Sequence, residues 1–65
     1  MKIKDLRESK SLTQEELAEL LDVSRSTVSM WETGMVTPRR DKLIELTRLF
    51  NCTIDDLIGE SNDAG

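Results

Sequence analysis

The sequence predicts an all-α fold, a compact bundle of five helices over residues 1–59 followed by a flexible tail over residues 60–65. Three observations carry this. Leucine, isoleucine and valine recur at three- and four-residue spacing, which puts one apolar stripe on each of several short helices. Trp31 and Phe50 are the only aromatic residues and no Val, Ile or Thr run alternates at period two, so strands have no support. Cap residues punctuate the stripes closely: Thr13 and Ser24 stand eleven residues apart, room for one two-turn helix and a three-residue turn.

The first helix has Ile3, Leu6 and the stem of Lys10 on its buried edge, with Lys2, Lys4, Asp5 and Glu8 on the solvated side. Ser9-Lys10-Ser11 contains no glycine stop, so this helix is expected to end softly. Thr13 caps the second helix, Glu16 three residues on completes a capping box, and Leu12 and Leu17 form the hydrophobic staple. Leu17, Leu20 and Leu21 make its apolar stripe, and Ala18 is small where a neighbour must come close. Asp22 stands where the chain needs a left-handed residue. Ser24 then caps a third helix, with Val23 and Val28 as its staple, Val28 and Trp31 as its stripe and Gly34 as its stop. So short a turn makes the two helices cross steeply.

Met35 and Val36 follow in a connecting loop, either capping the core or facing a partner. Pro38, with Thr37 before it, suits the first turn of a fourth helix. Leu43, Ile44, Leu46, Leu49 and Phe50 bury that helix heavily, and Asn51 stops it in a left-handed conformation. Thr53 caps a fifth helix, with Cys52 and Leu57 in the staple positions and Asp55 and Asp56 in the first turn as partners of the helix dipole.

A chain of 65 residues makes one domain, and a chain this short buries only about 60% of the surface it exposes when unfolded. No segment is long and apolar enough to span a membrane, and none reads as a signal peptide. The single cysteine suits a reducing cytoplasm. Histidine is absent, as are a glycine-rich phosphate loop and a metal-ligand cluster, so no enzyme, cofactor or metal is expected. The formal charge of −4 argues against nucleic acid until its distribution is followed. Lys2, Lys4, Arg7 and Lys10 against Asp5 and Glu8 leave residues 1–12 at +2; Glu15, Glu16, Glu19 and Asp22 bring 13–23 to −4. Residues 24–42 return to +2 through Arg25, Arg39, Arg40 and Lys42 against Glu32 and Asp41, and 43–65 carry −4. Such a domain can present one basic face while remaining acidic elsewhere, with weak, salt-sensitive non-specific affinity.

TQEELAELL, VSRSTVSMWETG and CTIDDLI, in this order and spacing from Ile3 to Ile58, resemble the XRE/phage-repressor family of helix-turn-helix DNA-binding domains, the Cro and C1 type. The match is closest over residues 13–34. The resemblance implies a lambda-repressor-like DNA-binding domain in which helices two and three form the helix-turn-helix. It also implies sequence-specific binding of double-stranded DNA in the major groove by a transcriptional repressor or regulator, a homodimer at least on DNA, at an inverted-repeat operator. The implied setting is a bacterial or phage-encoded, nucleoid-associated cytoplasmic protein. The rival is a protein-interaction or antitoxin-type module on the same fold with weak DNA binding, which the acidic surface would suit.

On this resemblance Gln14 and the N–H groups at the start of helix two grip a phosphate, against the plainer reading of a solvated residue beside a cap. Ser24, Arg25, Ser26, Thr27, Ser29 and Met30 form the exposed face and flank of a recognition helix, with Arg25 and Ser26 at the end that enters the groove. Met30 has two readings, a core filler or a contact to a thymine methyl. Trp31 matches the family's core residue. Family spacing starts helix four at Arg39; the cluster of Arg39, Arg40 and Lys42 reads either as solubility or as contact with the DNA backbone beside the recognition helix. Arg7 and Glu32 occupy the places where the family ties its first helix to its recognition helix by a partly buried ion pair. Many relatives carry Lys or Arg just after the glycine; Met35 and Val36 depart from that. Ile54, Leu57 and Ile58, apolar near the chain end, suggest dimerisation through the C-terminal third.

Overall fold

A computed structural model describes residues 1–59 and contains five α-helices and, among the described residues, no strand. The tail expected over 60–65 lies outside the described residues. α1 spans Ile3–Ser9. Its end is sharper than a glycine-free sequence suggests: Ser11 adopts a left-handed conformation at φ 57°, and Ser11 N and Leu12 N donate back to Glu8 O and Arg7 O. Lys10 has left the helix by then and its side chain is exposed, so the stem is not part of the buried edge. Ile3 and Arg7, one turn apart, are the buried residues of α1, and Leu6 is half-buried.

α2 spans Gln14–Leu21, with the capping box formed: Thr13 Oγ1 accepts from Glu16 N at 3.0 Å and Glu16 Oε1 from Thr13 N at 2.8 Å. Leu17, Ala18 and Leu21 are buried, but Leu20 is 57% exposed and does not belong to the stripe. At 3.6 residues per turn Leu20 lies roughly 100° round the helix from the centre of the other three, which turns it to solvent. Asp22 takes the left-handed conformation at φ 58°, and Val23 N donates to Ala18 O to close the helix. α3 spans Arg25–Thr33, capped by Ser24 Oγ accepting from Thr27 N.

Gly34 ends α3 at φ +83°, and a Cβ there would meet nothing within 4 Å. A Gly34→Ala exchange therefore suffers from backbone conformation alone, an expected loss of about 1–2 kcal/mol in a urea melt. A variant as stable as the parent would show that the end of α3 can relax out of the left-handed region.

α4 spans Arg40–Phe50, one residue later than family spacing predicts and two beyond Pro38. Arg39 is its N-cap with extended backbone, and Pro38 is a buried loop residue that does not head the helix. Only Leu46 and Phe50 are buried on α4, with Leu43, Ile44 and Leu49 half-buried, so the helix lies at the edge of so small a core. Asn51 stops it at φ 53°. α5 spans Ile54–Ile58 and has its own capping box between Thr53 and Asp56.

All five helices meet in one core of Ile3, Leu17, Ala18, Leu21, Val28, Trp31, Leu46, Phe50 and Leu57. Leu57 is fully buried and so unavailable to a partner, while Ile54 is 40% exposed and Ile58 half-buried. Lys2 N donates to Leu57 O at 2.7 Å, tying the first residues to the last helix. Cys52 packs against the core as a small apolar residue; burial, with the Asp56 charge adding to it, pushes its thiol pKa up.

Candidate nucleic-acid interface

The geometry of α2 and α3 rests on one buried polar knot. Arg7 Nε donates to Glu32 Oε2 at 2.7 Å, Arg7 Nη2 to Glu32 Oε1 at 3.3 Å, and Arg7 Nη1 to Leu12 O at 2.7 Å. The side chains are 11% and 5% exposed. A guanidinium and a carboxylate removed from water to this degree need such mutual hydrogen bonds, and the fork geometry of arginine supplies two of them. Burial alone would push the Glu32 carboxyl up. The bonds from Arg7 and Gln14 and the charges of Arg7 and Lys4 outweigh it and hold the pKa below the ordinary glutamate value. On Arg7, the bond to Glu32 outweighs burial and holds the guanidinium above its ordinary value.

Gln14 is the third member. Its Nε2 donates to Glu32 Oε1 at 3.0 Å, so the first residue of α2, the last turn of α3 and the middle of α1 meet at one carboxylate. The half-buried side chain thus has a structural partner that neither sequence reading of Gln14 contained. Its second amide hydrogen is the one left to offer a phosphate.

A second tie holds the turn from the opposite side. Lys42 Nζ, on α4, donates to Leu21 O at 2.6 Å, where the last carbonyl of α2 has no partner within its own helix, and lies 3.6 Å from Glu45. Lys42 therefore clamps the turn, a role that neither the solubility nor the backbone-contact reading of its cluster contained. No local signal gives this, because the contact depends on how α4 crosses α2.

These ties leave the start of α3 projecting. Ser24, Arg25 and Ser26 are exposed, while Thr27, Ser29 and Met30 are half-buried, so the expected wet face is open at its N-terminal end and partly covered further along. Thr27 Oγ1 lies 2.9 Å from Ser24 Oγ and Thr33 Oγ1 donates to Met30 O at 3.2 Å, which commits those hydroxyls locally. Arg39 and Arg40 are exposed at the start of α4. Met35 and Val36 do not cap the core: they are 75% and 42% exposed. An open groove of about 370 Å³ runs between α3, this loop and α4. Its rim carries Arg39, Asp41 and Lys42, so both signs of charge are present and it is not built as an anion pocket.

A sequence profile of the helix-turn-helix family matches residues 3–57, the whole of the five-helix core. The chain belongs to that family. The family is the XRE type of helix-turn-helix domain, and relatives of this chain carry the names of HTH-type transcriptional regulators. It is 46% identical over 57 residues to the HTH-type transcriptional activator BcrR of Enterococcus faecalis, covering 88% of this chain and 28% of that protein. It is 32% identical over 62 residues to YobD, an uncharacterized HTH-type transcriptional regulator of Bacillus subtilis, covering 95% and 55%. It is also 32% identical over 60 residues to the cryptic phage CTXphi transcriptional repressor RstR of Vibrio cholerae, covering 92% and 54%. The chain spans between about a quarter and about half of the length of these relatives. Among the described residues no helix is long and apolar enough to cross a membrane.

Proposed function

We propose that this domain binds double-stranded DNA sequence-specifically, seating α3 in the major groove, and that two copies do so together on an inverted repeat to regulate transcription, most simply by repression. The observation that carries this is the projecting start of α3, where Arg25 and Ser26 are exposed on a helix held rigid by the Arg7–Glu32–Gln14 knot and the Lys42 clamp. Rigid presentation matters because a base-edge hydrogen bond discriminates only if its donor cannot shift to a wrong base. Arg39 and Arg40, and the free amide hydrogen of Gln14, supply phosphate contacts that fix register. Of the apolar residues near the chain end, Ile54 and Ile58 remain accessible for a second copy.

Selection of bound duplexes from a random library at moderate salt tests this. The expected outcome is a palindromic consensus with half-site centres about 34 Å apart, bound by two protomers in sedimentation. One protomer per duplex at saturation would overturn the dimer. Enrichment of no duplex would overturn DNA reading itself and favour the protein-interaction or antitoxin-type module, to which the net charge of −4 is better suited.

A further inference from the structure

We propose that the groove between α3, the loop after it and α4 binds a small zwitterion with an apolar body, an apolar α-amino acid, and that its occupancy weakens DNA binding. The groove holds about 370 Å³, within the roughly 300–1,000 Å³ of small-molecule sites, and like them it sets a few polar groups around apolar walls. Val23, Trp31 and Val36 form those walls. Val36 is 42% exposed, so part of the apolar lining has no cover within the domain, and a ligand side chain laid on it leaves water.

The rim chooses the ligand. Arg39 and Lys42 are cations and Asp41 an anion, so a simple anion is attracted by two of the three and repelled by the third. A molecule with a carboxylate and an ammonium on one carbon has a partner for every one of them. The ion pairs among the described residues are Arg7–Glu8, Arg7–Glu32 and Lys42–Glu45, which leaves the Arg39 guanidinium and the Asp41 carboxylate unpaired. They stand two residues apart at the start of α4, a spacing at which helical side chains do not face each other, so neither neutralises the other. Lys42 spends one hydrogen on Leu21 O and has others to offer a carboxylate. The link to DNA, unlike the site itself, rests on the DNA reading proposed above. Under that reading Arg39 contacts the phosphate chain, so a ligand carboxylate and a phosphate compete for one guanidinium.

Trp31 is the only tryptophan of the chain and lines the groove, so its fluorescence reports the site directly. In titrations of the whole chain, L-leucine or L-phenylalanine is expected to change that fluorescence saturably. For the tighter of the two, the amide, which lacks the carboxylate, and the N-acetyl derivative, which lacks the ammonium, are expected to bind about tenfold more weakly or worse. Glycine, without the apolar body, is expected to fail likewise. Arg39 and Asp41 are exposed, so exchanging them leaves the fold in place. Arg39→Gln is expected to remove most of the preference over the amide, and Asp41→Asn most of that over the N-acetyl derivative, each sparing the other preference. No saturable change with either amino acid overturns the proposal. So does binding of both derivatives as tight as that of the free amino acid, because the groove is then a plain apolar surface. On the duplex enriched by selection, the saturating amino acid is expected to lower affinity about tenfold, and an unchanged affinity with the site filled overturns the coupling to DNA. Enrichment of no duplex removes the DNA reading and the coupling together and leaves the binding site standing on the fluorescence titrations, which need no DNA.

Discussion

Glu32→Gln is expected to destabilise the domain by about 3–5 kcal/mol in urea melts at neutral pH. The exchange preserves shape and removes charge, and three donors converge on this carboxylate. A glutamine amide can accept at its oxygen only; its NH2 would face Arg7 or Gln14, donor against donor, and the Arg7 charge would be left buried without its counter-ion. Domains of this kind hold only about 5–15 kcal/mol in total, so the variant would lose a large share of its stability. Gln14→Ala, which removes a neutral donor from the same carboxylate, is expected to cost about 0.5–1.5 kcal/mol. A loss below about 1 kcal/mol for Glu32→Gln would mean that the pair behaves as solvated surface charges.

The pH dependence has a definite sign. The folded-state pKa of Glu32 lies below its unfolded value. Its contribution is therefore complete above the unfolded value of roughly 4.3 and drains away as pH falls through the lower folded value. The parent and Glu32→Gln stability curves are expected to run parallel from neutral pH down to about 5 and to converge in more acid solution. A gap that widens on acidification would contradict the assignment.

The sequence made the caps legible because capping is local: Thr13 with Glu16, Ser24, Asp22, Gly34 and Asn51 all act within four residues of themselves, and all were found in the predicted roles. Arg7 opposite Glu32 was legible only through resemblance, since 25 residues separate them and nothing local links their charges. Leu20 shows the limit of periodicity. It keeps helical spacing with Leu17 and still faces water, because a two-turn helix in a 65-residue domain has only a narrow stripe to bury. Leu43, Ile44 and Leu49 are half-buried for the same reason: a small core leaves many apolar side chains at its margin. The bond from Gln14 to Glu32 and that from Lys42 to Leu21 were illegible. Each depends on the crossing of two helices distant in sequence, and each donor is a residue type usually solvated.

Arg25→Ala and Arg40→Ala are expected to fail in different ways. On the DNA reading proposed above, Arg25 begins α3 and its guanidinium would meet guanine O6 and N7, whereas Arg40 begins α4, beyond that helix, and would meet the phosphate chain. Neither side chain is buried, so neither exchange should disturb the fold, and binding can be read without a stability correction. Removing Arg25 should cost about 1–3 kcal/mol on the preferred duplex and relax the preference at one base pair per half-site. Removing Arg40 should weaken all sequences alike and lower the slope of log affinity against log salt by about 1 per protomer, because one fewer counter-ion is released at each phosphate contact. Titrations on preferred and scrambled duplexes at several salt concentrations separate the two patterns. If Arg25→Ala weakens both duplexes equally and flattens the salt slope, Arg25 is a phosphate contact, and base reading then falls to Ser26, Thr27 and Met30.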